Sequence, residues 1–149
     1  NCYNDGNIDC SEGTGNLTAG GLVGKSQKTS IKNCYAYCNI SANTAAGIVA
    51  DGSNLFSSVS IERCYYYGDI TANTKYGIAG ASYNSSNNFQ LERCYYKDQS
   101  ILICGNHGST NNCETITDAN SSTLRDNLNA DHPSGYRSYV IGITHLVFE

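Results

Sequence analysis

The hexapeptide IERCYY at 61–66 returns as LERCYY at 91–96, thirty positions later. Fainter copies stand at 31–36 (IKNCYA) and at the start of the chain (NCYN). A fixed interval of this size limits the fold more than any other feature, because periods of about 20–50 residues belong to solenoids, propellers or arrays. The Cys-Tyr pair recurs at Cys2–Tyr3, Cys34–Tyr35, Cys64–Tyr65 and Cys94–Tyr95, at intervals of 32, 30 and 30 residues. A second landmark lies between pairs: GLVG at 21–24, GIVA at 47–50 and GIAG at 77–80. A third ends at Ile8, Ile40 and Ile70. Repeats two and three keep 13 residues from Cys to the glycine, whereas the first has 19, which places a loop insertion near SEGTGN.

Each unit holds three short apolar segments, β-branched or aromatic, separated by Gly, Asn, Asp or Ser, and this reads as strand. No unit carries a helical period. A propeller blade needs four strands in about 40–45 residues, so units of 30 fit better as coils of a parallel β-helix. One coil per repeat and three strands per coil are expected, with equivalent residues stacked about 4.8 Å apart. Ile31, Ile61 and Leu91 then form one inward ladder; Ile8, Ile40 and Ile70 a second; Leu22, Ile48 and Ile78 a third. Gly21, Gly47 and Gly77 mark turns or close approaches. Glu62 stacks on Glu92 and Arg63 on Arg93, so these rows are expected to face solvent, with diagonal Glu–Arg pairs relieving the like charges.

That requirement orients the repeated phrase. Strict alternation from Ile61 would bury Arg63 and Tyr65 together, which is costly for an unpaired guanidinium. A corner at Glu–Arg, the favoured arrangement, returns Cys64 to the interior and places Tyr65 outside.

The order GGLVG (20–24), IKNCY (31–35) and CNI (38–40) resembles the GLUG repeat of bacterial surface and secreted proteins. The resemblance covers residues 1–98. It implies a right-handed parallel β-helix of three to four coils that serves as a stalk or binding region. The copies at 47–50 and 77–80 depart from strict G-L-[VI]-G, and Cys38 replaces the glycine found at 6 and 68.

Residues 99–149 are expected to cap the repeats, since a solenoid must cover its last apolar cross-section and open edge. SILIC (100–104) offers one more strand. Within 115–130, Leu124 and Leu128 at i, i+4 with Ser121 or Ser122 as N-cap predict a helix. The alternating run 135–149 predicts one or two strands.

Cys2, Cys34, Cys64 and Cys94 are open to three readings: disulfides, metal ligands or a buried ladder. The ladder is the natural one for copies at coil spacing. In CGNHGSTNNC, Cys104 and Cys113 are candidates for a short disulfide loop; free thiols, or a zinc set completed by His107, are the alternatives. Tyr35, Tyr65 and Tyr95 share a row, Tyr66 and Tyr96 the next, and Tyr37 and Tyr67 a third. If the first row faces out, it forms an aromatic strip suited to sugar rings or another protein; otherwise the rings serve packing.

No catalytic residue, metal or cofactor is assigned. Asp5, Asp51, Asp69 and Asp98 share no repeat phase, and His107, His132 and His145 have no evident nucleophile partner. Sequons at Asn16, Asn39, Asn84 and Asn120 match chance for this composition. A net charge of −4 with 15% charged residues offers no basic footprint for nucleic acid, and no apolar run approaches a membrane span. The chain lacks methionine and begins inside a repeat, so it is expected to be a processed product or a piece of something longer.

The expected function is a non-enzymatic adhesion or display module, extracellular or on the cell surface, that binds protein or glycan on a host or neighbouring cell. The alternatives are head-to-tail self-assembly through open coil ends and, at lower weight, a polysaccharide-processing enzyme.

Overall fold

The computed structural model describes residues 1–26, 28–52, 59–80, 89–98, 100–105 and 109–149. Its strands follow the repeats. The first repeat supplies β1 (Tyr3–Asn4), β2 (Ile8–Asp9), β3 (Thr18–Gly20) and β4 (Val23–Lys25). The second supplies β5 (Ser30–Ala36), β6 (Ile40–Ser41), β7 (Thr44–Ala46) and β8 (Val49–Asp51). The third supplies β9 (Val59–Tyr66), β10 (Ile70–Thr71) and β11 (Thr74–Tyr76). Then come β12 (Phe89–Glu92) and β13 (Tyr95–Tyr96), followed by β14 (Ser109–Asn111) and β15 (Glu114–Thr115). The chain ends with the helix α1 (Ser122–Asn129) and the antiparallel pair β16 (Tyr139–Ile141) and β17 (Leu146–Phe148).

All pairing between repeats is parallel and keeps the sequence phase. Ile31 faces Ile61, Cys34 faces Cys64 and Tyr35 faces Tyr65. Leu91 continues from Ile61, and Tyr95 and Tyr96 continue from Tyr65 and Tyr66. Ile8, Ile40 and Ile70 align in a separate sheet. The third ladder is tied by main chain: Leu22 N–H donates to Ile48 O at 3.1 Å, and Ile48 N–H to Ile78 O at 2.9 Å. Three expected ladders are thus present. Among the described residues the first two repeats carry four strands rather than three, because bends at Gly21–Leu22 and Gly47–Ile48 separate β3 from β4 and β7 from β8. Among the described residues the molecule is all-β apart from one short helix.

The glycine row exists because there is no room for a side chain. A Cβ on Gly47 would lie 2.2 Å from Gly77 O and 2.3 Å from the Tyr66 ring. On Gly77 it would strike the Tyr96 ring at 2.2 Å. Tyr66 and Tyr96 therefore fill the interior against bare backbone.

The corner before each cysteine is built by left-handed backbone: φ is 53° at Asn33, 52° at Arg63, 52° at Arg93 and 52° at Asn112. Asn tolerates this region better than most side chains, and two of the four rows use it. The kink returns Cys34, Cys64 and Cys94 to the core, as favoured from the sequence.

Two expectations need correction. Parallel pairing of the repeat sheet continues beyond residue 98, since β14 adds to β12 and β15 to β13. SILIC forms no regular strand but runs beside the glycine landmark, with Ile103 O accepting from Ile78 N–H at 2.8 Å. The C-terminal element also covers the flank of the repeats rather than the end. Leu124, Leu128, Tyr139 and Leu146 bury themselves against Tyr35, Tyr65 and Tyr95 in a second core. The helix itself begins as expected, with Ser121 Oγ accepting from Leu124 N–H at 3.1 Å. No helix among the described residues is long and apolar enough to cross a membrane.

Candidate functional site

The tyrosine rows were the main candidates, and their placement follows from the corner. After the kink at Arg63, Cys64 points in, Tyr65 out and Tyr66 in again. Tyr35 stacks on Tyr65 with centroids 5.1 Å apart at 12°, and Tyr3 continues the stack at 5.3 Å and 15°. The expected exposed strip is nevertheless absent. Tyr35, Tyr65 and Tyr95 are 2%, 0% and 3% exposed, and only Tyr3 stands open at 61%. Leu124, Leu128, Tyr139 and Leu146 cover the row, so its apolar faces are withdrawn from solvent. The Tyr65 hydroxyl donates to Leu146 O. Burial pushes the phenols of Tyr35 and Tyr95 up to about 12. Tyr66 and Tyr96 lie in the interior, their hydroxyls donating to Cys38 O at 3.0 Å and Ile101 O at 3.1 Å. None of these five tyrosines stands open in solvent.

The charged rows are also engaged. Arg63, expected in solvent, is 6% exposed. Its Nη2 donates to Asp131 O at 2.9 Å and Ala130 O at 3.2 Å, while Nη1 pairs with Glu62. Arg93 donates to Ala130 O and, at 2.8 Å, to the Asp131 carboxylate. That hydrogen bond holds the Asp131 carboxyl below its usual range. Glu62 does align with Glu92, but Lys32 at 2.8 Å and the adjacent Arg63 relieve the repulsion rather than a diagonal pair.

All eight cysteines are thiols, and no disulfide joins Cys104 to Cys113. The two belong to different sheets: Cys104 bridges Ala79, whereas Cys113 stacks on Cys94, whose N–H donates to its Sγ at 3.4 Å. Cys113 therefore adds a rung to Cys2, Cys34, Cys64 and Cys94. Its signal was legible as Asn112–Cys113, a copy of Asn33–Cys34 with Asn in the same left-handed corner. It was missed because the interval shrinks from 30 to 19 residues. Burial raises the Cys64 and Cys94 thiols well above their ordinary value, while hydrogen bonds from Cys64 and Cys94 lower those of Cys34 and Cys113. His107 lies outside the described residues, as does the Asn84 sequon.

The aspartates remain apart: Asp5 faces His145 at 3.5 Å, Asp51 faces Lys25 at 3.8 Å, and Asp69 pairs with Lys97 at 2.7 Å. Among the described residues no three His, Cys, Asp or Glu converge as a metal set.

One aromatic row keeps solvent access. Tyr37 and Tyr67 are half-buried and stacked 5.9 Å apart at 5°. Lys97 Nζ sits 5.3 Å from the Tyr67 centroid, tethered by Asp69. A cavity of about 330 Å³ adjoins them, lined by Asp69, Lys75, Lys97 and Asp98 together with Tyr66 and Tyr96. His145, which the sequence did not connect with this row, stacks on Tyr37 at 4.1 Å. Comparison with known proteins returns no matching family model, curated protein or solved structure.

Proposed function

We propose that the chain is a non-enzymatic display and adhesion module of an extracellular or cell-surface protein, folded as a right-handed parallel β-helix of the GLUG type. One observation carries this reading. The side-chain rows that recur with the repeats are engaged in holding the repeats together: isoleucines, cysteines and Tyr66/Tyr96 inside, Tyr35/Tyr65/Tyr95 and the arginines beneath the C-terminal element. Repetition here serves architecture. The landmarks GGLVG, IKNCY and CNI resemble the GLUG repeat, and the right-handed winding is what that resemblance implies.

An adhesive contact then falls to what remains open. The Tyr37–Tyr67 row, its faces covered by His145 and Lys97, presents ring edges, and Lys75, Lys97, Asp69 and Asp98 in the adjoining cavity supply hydrogen-bonding groups. That combination suits a sugar ring or a polar protein edge. The test is a glycan and matrix-protein array probed with the wild-type chain and Tyr67→Ala, with circular dichroism confirming fold. Tyr67→Ala should lose the contacts the wild type makes. Binding nowhere, or binding unchanged in the variant, overturns the adhesive reading.

Assembly is the second reading, and a specific face favours it. The first layer presents Tyr3 in the open, with a cavity of about 780 Å³ lined by Ile8, Leu22, Val23 and Ile31. An added parallel layer would continue all the ladders across this face. Light scattering against concentration checks it; a molar mass that stays at one chain throughout sinks it.

A further inference from the structure

Cys113 ends a column of thiols, and its chemistry differs from that of the rungs it follows. It precedes Glu114, the register partner of Tyr95, so it stands opposite Cys94 on the adjacent strand. Glu114 N–H donates to Cys94 O at 3.2 Å, and Cys94 N–H donates to Cys113 Sγ at 3.4 Å. Cys113 Sγ donates to Asn111 O at 3.3 Å, and Cys94 Sγ to Ile61 O at 3.3 Å. Parallel strands hold such partners about 4.8 Å apart at Cα, inside the range of about 4.4–6.8 Å that a disulfide spans. Cys94 is fully buried, whereas Cys113 is half-buried and reachable. Cys64, the other neighbour of Cys94, is buried and offers no entry.

We propose that Cys94 and Cys113 form a reversible disulfide between successive layers, with Cys113 as the thiol that admits low-molecular-weight disulfides. The Cys113 thiolate attacks one sulfur of glutathione disulfide; the glutathione S–S bond breaks and one glutathione leaves as thiolate. Cys94 gives its proton to that leaving group and attacks Cys113 Sγ, expelling the second glutathione, which takes up the proton Cys113 shed. Two protein thiols are oxidised by two electrons, and one glutathione disulfide is reduced to two thiols. The Cys113 thiol is made more acidic by its bond from Cys94, which favours the first step, and burial of Cys94 slows the second. A transient glutathione adduct on Cys113 is therefore part of the expectation. Closure pins β15 to β13.

The test treats the intact, reduced chain with glutathione disulfide, then traps and maps thiols by mass spectrometry over time. The expected result is a Cys113 adduct that converts to a Cys94–Cys113 cross-link, with slower amide exchange over 109–116. Cys104→Ser should leave the cross-link unchanged, and Cys113→Ser should leave Cys94 reduced. A Cys104–Cys113 link, an adduct that never closes, no reaction at Cys113, or oxidation of Cys94 in the Cys113→Ser variant overturns the proposal.

Discussion

The Tyr139 hydroxyl sits between two carbonyl oxygens one repeat apart, 3.1 Å from Cys34 O and 3.0 Å from Arg63 O. A residue near the end of the chain thus reads the spacing of two layers formed about a hundred and about seventy-five residues earlier. Its ring packs edge-on to Tyr65 at 5.8 Å. Tyr139→Phe keeps the ring and strips the hydroxyl, so it should cost about 1–2 kcal/mol. Tyr139→Ala should cost about 3–5 kcal/mol by opening a cavity. Urea denaturation of both variants checks the order.

The glycine row gives a sharper contrast. Gly47→Ala puts a methyl group against Gly77 O and the Tyr66 ring, neither of which can retreat without breaking the stack. It should destabilise by about 3 kcal/mol or more. Gly15→Ala meets nothing within 4 Å and loses only the freedom its φ of 97° requires, about 1 kcal/mol. Thermal melts of the pair should differ by many degrees; equal melts would refute close stacking at Gly47.

Arg63 combines a left-handed backbone with a buried guanidinium. Arg63→Ala loses bonds to Ala130 O and Asp131 O while keeping the strained φ, a loss of about 2–3 kcal/mol. Arg63→Gly loses the same bonds but relaxes the backbone, and should be about 1 kcal/mol less harmful. Hydrogen exchange should show loosening over 116–149 in both while the isoleucine ladders stay protected.

His145 makes the flank sensitive to pH. Burial against Tyr35 and Tyr37 lowers its pKa from 6.5, and Asp5 opposes this in part. The unfolded chain therefore takes up a proton at higher pH than the folded one. Stability contributed here is complete above pH 6.5 and declines as pH falls below it. His145→Gln should flatten that decline, and Asp5→Asn should steepen it. Denaturation midpoints between pH 5 and 8, about 0.5 apart, measure both slopes.

The ladders were legible because period and polarity agree: Ile31, Ile61 and Leu91 occupy one phase, and the corner at Arg63 followed from refusing to bury a guanidinium beside Tyr65. Yet Arg63 is buried, and the strip at Tyr35, Tyr65 and Tyr95 is covered, for one shared reason. The cover comes from Ala130, Asp131, Tyr139 and Leu146, which have no repeat phase. Periodicity reports which residues share a row; it is silent on what a non-repeating segment lays over that row. Tyr65 was rightly placed outside the repeat layer and wrongly placed in water. Cys113 lies off the 30-residue interval and is marked only by its Asn-Cys corner.

The C-terminal element touches Asp5 through His145, Asn33 through Arg137 O, Arg63 and Arg93 through Ala130, and Tyr67 through Thr117. It therefore works as a length gauge. Duplicating one internal unit of 30 residues would leave every ladder chemically satisfied but move these anchorages apart by one layer, about 4.8 Å. The repeats alone could be multiplied freely; with this segment across them, the number of layers is fixed by the segment that does not repeat.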